Sequence, residues 1–249
     1  MSAEGEMMDP KAEGRCQEIL RRMEAMACPR NSEGMARYGI RSTRVLGLSM
    51  GTLSDLAKEI GKDHAMAGCL WDDGSQESRL LAALVEDPRE VTDLQMDLWA
   101  EGFDNWAICD GVSMHLFRRT PFAKAKCLEW SSNEKEYVKR AAFTLMASLA
   151  VHDRKAGDEV FLEYLRVCER ECEDDRDHVK KGVSWALRQI GKRNICLNQA
   201  AIETSVLISR HNSRAARWIS SEALRELRGE KVQARLVSRE GIRGGPRSG

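Results

Sequence analysis

The 249-residue sequence has little of what breaks helices or builds sandwiches: it contains 5 prolines, and only 6% of its residues are aromatic. With 31% charged and 42% hydrophobic residues besides, it reads as a soluble helical chain rather than a Pro-rich disordered one or a β-sandwich. It lacks any apolar run near the roughly 18 residues of a membrane span. Met1 to Pro10 lacks the charged-then-apolar order of a signal peptide, so the chain is expected to be cytoplasmic. A CxxC pair is missing too. Eight cysteines (Cys16, Cys28, Cys69, Cys109, Cys127, Cys168, Cys172 and Cys196) are scattered, which predicts reduced thiols rather than a disulfide framework. Cys168 and Cys172 share a helix face and His178 follows. Four convergent metal ligands are not visible, however, and small core residues near a helix end explain the pair better. No metal or cofactor is expected.

Net charge is also absent, at zero, but its distribution is uneven. From Arg176 onward there are 16 Lys and Arg against 6 Asp and Glu, a net of +10, which leaves 23 against 33, a net of −10, for the rest. Such a split between halves fits a polyanion-binding face, and it fits equally a solvated helical surface with a basic tail.

What is present is helical periodicity, with no convincing period-two strand. Helices are predicted near 11–27, 32–38, 52–61, 63–72, 75–86, 89–101, 104–117, 121–130, 133–151, 157–173, 176–192, 196–209 and 213–228. Pro29, Pro88 and Pro121 fall at or near helix starts, where a missing N–H costs nothing. Gly61, Gly74, Gly191 and Gly229 fall where helices would end, and Thr52, Ser75, Asn133 and Ser213 read as N-caps. Short loops between such helices predict stacked antiparallel pairs. Residues 1–10 are expected to be disordered, residues 11–229 to form the helical domain, and residues 230–249 to be a basic tail with too few apolar side chains to pack.

Internal similarity points to repeats. YVKRAAFTLMASL from Tyr137 aligns with HVKKGVSWALRQI from His178 at an offset of 41, and SRAARWIS from Ser213 aligns with the latter at 33. Periods near 40 are those of HEAT-like helix pairs. On the 176–192 helix, Val179, Val183, Ala186 and Ile190 form the core stripe, while His178, Lys181, Trp185, Arg188 and Lys192 share another face. The last repeat carries His211, Arg214, Trp218, Ser221 and Arg225 in the same way. A basic face with a central indole suits a phosphate backbone and its sugars or bases. Packing of each Trp beneath a neighbouring helix, with the charges solvated, is the plainer alternative. On the 104–117 helix, Phe103, Trp106, Asp110, Met114 and Phe117 fall on one stripe, so a carboxylate lies amid apolar side chains and needs a partner. Arg140, in the next repeat, is available, and a purely structural Asp–Arg pair is then the simpler account.

The segments ARYGIR (36–41), LWDDGSQESRLLAALV (70–85), DNWAICDG (104–111), EYVKRAAF (136–143) and VKKGVSWALRQIGKRN (179–194) resemble the AlkD-like DNA alkylation repair proteins. That resemblance spans most of residues 35–228. It implies an all-α, HEAT-like repeat solenoid with a concave, positively charged face for double-stranded DNA; a solenoid of this kind is expected to work as a monomer, and the lack of long apolar runs predicts no membrane. The characterised enzymes of the family release cationic bases such as N3-methyladenine and N7-methylguanine by cleaving the N-glycosidic bond. Carried over residue by residue, the resemblance implies catalytic roles for Trp106, Asp110, Arg140 and Trp185, while the basic helix faces described above give Lys181, Arg188, Lys192, Arg214 and Trp218 as the expected DNA contacts. The function so implied is a monofunctional alkylpurine DNA glycosylase; a non-catalytic HEAT scaffold binding DNA or protein is the alternative. Two positions depart from the family. Asn105 stands where its best-known enzyme has a second Trp, and Gln76-Glu77-Ser78-Arg79 replaces a His-Glu-x-Arg pattern.

Overall fold

The computed structural model describes residues 10–40 and 42–243, so the expectations for residues 1–9 and 244–249 lie outside it. Among the described residues there are fourteen α-helices and no strand. The first seven are α1 (Pro10–Ala25), α2 (Pro29–Arg37), α3 (Met50–Ile60), α4 (His64–Asp73), α5 (Gln76–Val85), α6 (Asp93–Glu101) and α7 (Trp106–His115). The others are α8 (Ala123–Glu129), α9 (Glu136–His152), α10 (Asp158–Arg170), α11 (Asp177–Gly191), α12 (Ile195–Ile208), α13 (Arg214–Leu227) and α14 (Glu230–Arg243). Short 3₁₀ turns at Phe117–Arg119 and Trp130–Ser132 complete them.

Short polar side chains start many of these helices by accepting from otherwise orphaned N–H groups. Ser75 caps α5 and Ser213 caps α13, as the sequence predicts. The expected caps Thr52 and Asn133 are corrected. Ser49 caps α3 and accepts from the Thr52 N–H, so Thr52 lies inside the helix; Asn133 instead accepts from the Lys135 N–H ahead of α9. Pro29 opens α2, whereas Pro88 lies in the turn before α6 rather than at its start. Gly61 and Gly74 end α3 and α4.

The chain divides into two compact units, with the boundary after Pro121. In the first, α5 packs against α3, α4 and α7, and α1 lies on α4. A stacked indole pair, Trp71 and Trp99 at 4.1 Å between ring centroids, fills part of its core beside Phe103. Packing α1 on α4 brings Cys16 and Cys69 to a Cα separation of 6.4 Å, where they form a disulfide. The expectation of reduced thiols throughout is therefore corrected at this pair. Fifty-three residues separate the two, so only the helix packing makes them neighbours.

Glu77 organises the same unit. Its side chain is buried, and Oε1 and Oε2 accept from the backbone N–H groups of Gly47 (2.7 Å), Leu48 (3.3 Å) and Leu46 (2.8 Å). The loop turns there because Gly47 has φ +78°, and a Cβ would lie 2.3 Å from the Cys28 carbonyl oxygen. Arg79 donates to the carbonyls of Gly74 (2.8 Å) and Gly102 (3.0 Å), closing the ends of α4 and α6.

In the second unit α9, α11 and α13 pack in succession, with α8, α10 and α12 paired alongside them. This is the repeat seen in the sequence. Cys168 and Cys172 are buried, and burial pushes both thiols up, Cys172 to about 11. Gly191 ends α11 where Leu227 and Ala201 close in; a Cβ would meet Leu227 Cδ2 at 2.7 Å and Ala201 Cβ at 2.9 Å. Because Ala201 cannot rotate away, Gly191→Ala should destabilise the fold by about 1–3 kcal/mol through overpacking, read as a lowered urea midpoint with unchanged slope.

The tail expectation is also corrected over residues 230–243. These continue as α14, because Leu236 is buried and the Gln233 amide donates to Asn198 Oδ1 (3.0 Å) and to the Leu227 carbonyl (2.6 Å).

A charged cluster ties α9 to the α10–α11 loop. Lys139 Nζ pairs with Glu171 (2.7 Å) and Asp174 (2.9 Å), and Arg176 pairs with Asp174 (2.5 Å). Burial by itself would raise the Asp174 carboxyl, but hydrogen bonds from Arg176 and Lys139 outweigh it and hold the group at about 2. A depressed folded pKa stabilises the fold above the unfolded value near 4, and that contribution is lost as pH falls towards 2. Stability should therefore drop between about pH 4 and 2, and Asp174→Asn should flatten that limb in a thermal-melt series.

Candidate nucleic-acid interface

The predicted residues on α7 are set by its N-cap. Asn105 is buried, and its Oδ1 accepts from the N–H groups of Ala107 (2.9 Å) and Ile108 (3.2 Å). Its amide donates to Gln76 Oε1 (2.9 Å), Ser42 Oγ (2.8 Å) and Asp104 Oδ1 (2.8 Å). A residue so used cannot serve as a wall of a binding site; it fixes where α7 begins. One residue on, Trp106 opens the helix, and Asp110 follows a turn later on the same face.

The stripe read from the sequence splits in two. Its ends, Phe103 and Phe117, are buried, whereas Trp106, Asp110 and Met114 are only half-buried. Asp110 is thus open to solvent in part. The Trp106 indole N–H donates to the Tyr38 carbonyl oxygen (3.0 Å), which fixes the ring relative to the end of α2.

Arg140 and Trp185 belong to the second unit. Arg140 is 7% exposed on α9, and its Nη1 donates to the carbonyl of His178 (2.7 Å) in the first turn of α11. Arg140 is therefore largely enclosed, with one of its donors engaged by this carbonyl. His178 is held below the usual imidazole range, by burial first and the Arg140 charge second, so it is neutral at pH 7. Trp185 is half-buried on α11, and its indole N–H reaches the Gln189 side-chain oxygen at 3.0 Å once that amide is oriented oxygen-inward.

The five predicted DNA-contacting residues fall into two groups. Arg188 and Lys192 both bind Glu226 of α13, each at 2.6 Å. Burial would raise the Glu226 carboxyl, but hydrogen bonds from these two cations prevail and lower it. The triad keeps one net positive charge and staples α11 to α13. Lys181, Arg214 and Trp218 are exposed. Lys180, which is not among the expected DNA contacts, lies 5.9 Å from the centre of the Trp218 ring, a cation–π arrangement. It falls outside the i, i+3/i+4 set counted from Trp185, and only the packing of α11 on α13 brings it to the indole.

A second feature escaped the sequence. Arg30, Asn31, Gly34, Met35, Tyr38 and Ile40 join Trp106 around a groove of about 460 Å³ between α2 and α7. Tyr38 within ARYGIR was the available signal, being 78% exposed where an aromatic would ordinarily pack.

Among the described residues no helix is long and apolar enough to cross a membrane, and no group of His, Cys, Asp or Glu could hold a metal ion. No curated protein matches the chain. Among solved structures it is similar to a protein of a family related to the HEAT-like repeat DNA glycosylases with affinity for branched DNA structures. The identity is 17% and the TM-score 0.71, over 88% of this chain and 95% of that one. At such identity the likeness establishes an all-α, HEAT-like repeat fold. The model of one family, described as DNA alkylation repair enzyme, matches residues 19–227, and with that span the chain belongs to the DNA alkylation repair enzyme family.

Proposed function

We propose that the protein is a DNA glycosylase that hydrolyses the N-glycosidic bond of alkylated, cationic purines in double-stranded DNA. The observation that carries this reading is the pair Trp106 and Asp110, one turn apart on α7 and both partly open to solvent, in a chain of this family. In the reaction the C1′–N9 bond breaks, and its electron pair enters the purine ring and cancels the positive charge. A water oxygen bonds to C1′, and one of its protons passes to Asp110 or to solvent. The products are a neutral methylated purine, an abasic site and a proton. Asp110 stabilises the oxocarbenium-like sugar or orients the attacking water. Trp106 favours a cationic nucleotide by cation–π contact, on the order of 0.5–2 kcal/mol. No general acid is required, because alkylation has already made the base a good leaving group.

Lys181, Arg214 and the net charge of the Arg188–Lys192–Glu226 triad supply phosphate contacts, so affinity falls with salt. The test is release of methylated purines from alkylated DNA by the wild type and by Asp110→Asn. No release by either protein would overturn the reading. Cytoplasmic location and a monomeric state are part of the same proposal, checked by fractionation and by scattering mass.

A second reading is affinity for DNA without base release. It is favoured by the fold likeness to a family described by its affinity for branched DNA, and by Asn105 being spent as a buried cap. Tighter binding of a four-way junction than of a linear duplex, without base release, would establish it.

A further inference from the structure

The groove between α2 and α7 shares Trp106 with the α7 pair, but its other lining residues have no part in the chemistry above. We propose that it is a stacking site for an unpaired nucleobase of bound DNA, with Tyr38 and Trp106 as its aromatic surfaces and Arg30 and Arg37 meeting the flanking phosphates. The proposal rests on the DNA-binding part of the reading above.

Four observations converge on an aromatic, anionic occupant. The groove, about 460 Å³, has the size of a small-molecule site, and its lining is mainly apolar or aromatic. Tyr38 is 78% exposed and borders the apolar lining of the groove, so its ring face is open to an incoming group. The Trp106 indole N–H is already spent on the Tyr38 carbonyl, so what the ring offers the groove is carbon surface for stacking rather than a hydrogen bond. Arg30 and Arg37 are exposed on α2, and among the described residues neither forms an ion pair; Glu33 is the one acid on that helix.

α2 itself buries no side chain, so packing does not explain its amphipathic face. A base face with its phosphates satisfies both the rings and the cations, which a lipid chain or an acidic peptide would not. Stacking tolerates any base, so the site selects for unpairing rather than for sequence.

The probe is a 20-base-pair duplex with one extrahelical 2-aminopurine, compared with the same duplex carrying 2-aminopurine paired to thymine. The wild type is expected to bind the bulged duplex about tenfold more tightly than the paired one, with quenching of the 2-aminopurine fluorescence. Tyr38→Ala should bring that ratio to about one and abolish the quenching. Gly34→Phe, which fills the groove from a helix position with nothing within 4 Å of its Cβ, should do the same without disturbing the fold. A wild-type ratio of one with no quenching, while the paired duplex still binds, overturns this site and leaves the DNA reading standing. A ratio that survives both substitutions overturns it as well and leaves the groove to a protein partner. Failure to bind either duplex overturns both readings.

Discussion

Asp110→Asn is expected to lower the rate of methylpurine release by at least about a hundredfold while leaving duplex affinity within about twofold of wild type. The amide keeps the size and one oxygen of the carboxylate but removes its charge. If that charge faces the developing oxocarbenium ion, its loss raises the barrier without touching the ground-state grip on the phosphates. The measurement is single-turnover release of 3-methyladenine and 7-methylguanine, paired with a binding titration. An equal rate for the two proteins would leave Asp110 with no part in the chemistry. Equal loss of rate and affinity would make it a binding residue. Trp106→Phe is a useful companion, because it keeps an aromatic face while removing the bond to the Tyr38 carbonyl.

Glu77→Ala should cost about 3 kcal/mol or more, since it orphans three backbone N–H groups at once. Leu46, Gly47 and Leu48 all donate to this carboxylate, and no water-facing orientation is open to them with Leu46 and Leu48 buried. Near-ultraviolet circular dichroism of the stacked Trp71–Trp99 pair reports the unit that Glu77 organises, and its thermal transition should move down by several degrees. Cleavage by a protease should appear between residues 42 and 49. Wild-type stability in this variant would mean the loop is held by something other than Glu77. The Glu77→Gln protein should fall between the two, because the amide retains one acceptor but turns N–H donors towards backbone N–H groups.

Glu77 also shows how a motif can be legible while its meaning is not. Gln76-Glu77-Ser78-Arg79 departs from the family's His-Glu-x-Arg pattern at its first position. In the structure Glu77 and Arg79 keep structural duties, and Gln76 accepts from the Asn105 amide and from the Ser42 hydroxyl. Asn105 and Gln76, two departures twenty-nine residues apart, turn out to be hydrogen-bonded neighbours. Nothing in the linear spacing announced that.

The sequence by itself determined the helices, their order and the repeat. Helix periodicity, short capping side chains and glycine stops act over three or four residues, so they are written locally. The thirteen helices expected between residues 11 and 228 are all present, and that Trp106 and Asp110 share a helix face followed from i, i+4 spacing. What only tertiary structure decided were the partners. The Cys16–Cys69 bond, the Glu226 bridge to Arg188 and Lys192, the burial of Arg140 under His178, the docking of α14 and the groove beside Tyr38 each join residues distant along the chain. Charge and hydropathy could mark these side chains as unusual. Which of them face solvent and which are already spent depends on the packing of one helix on the next, and that is fixed only when the whole unit folds.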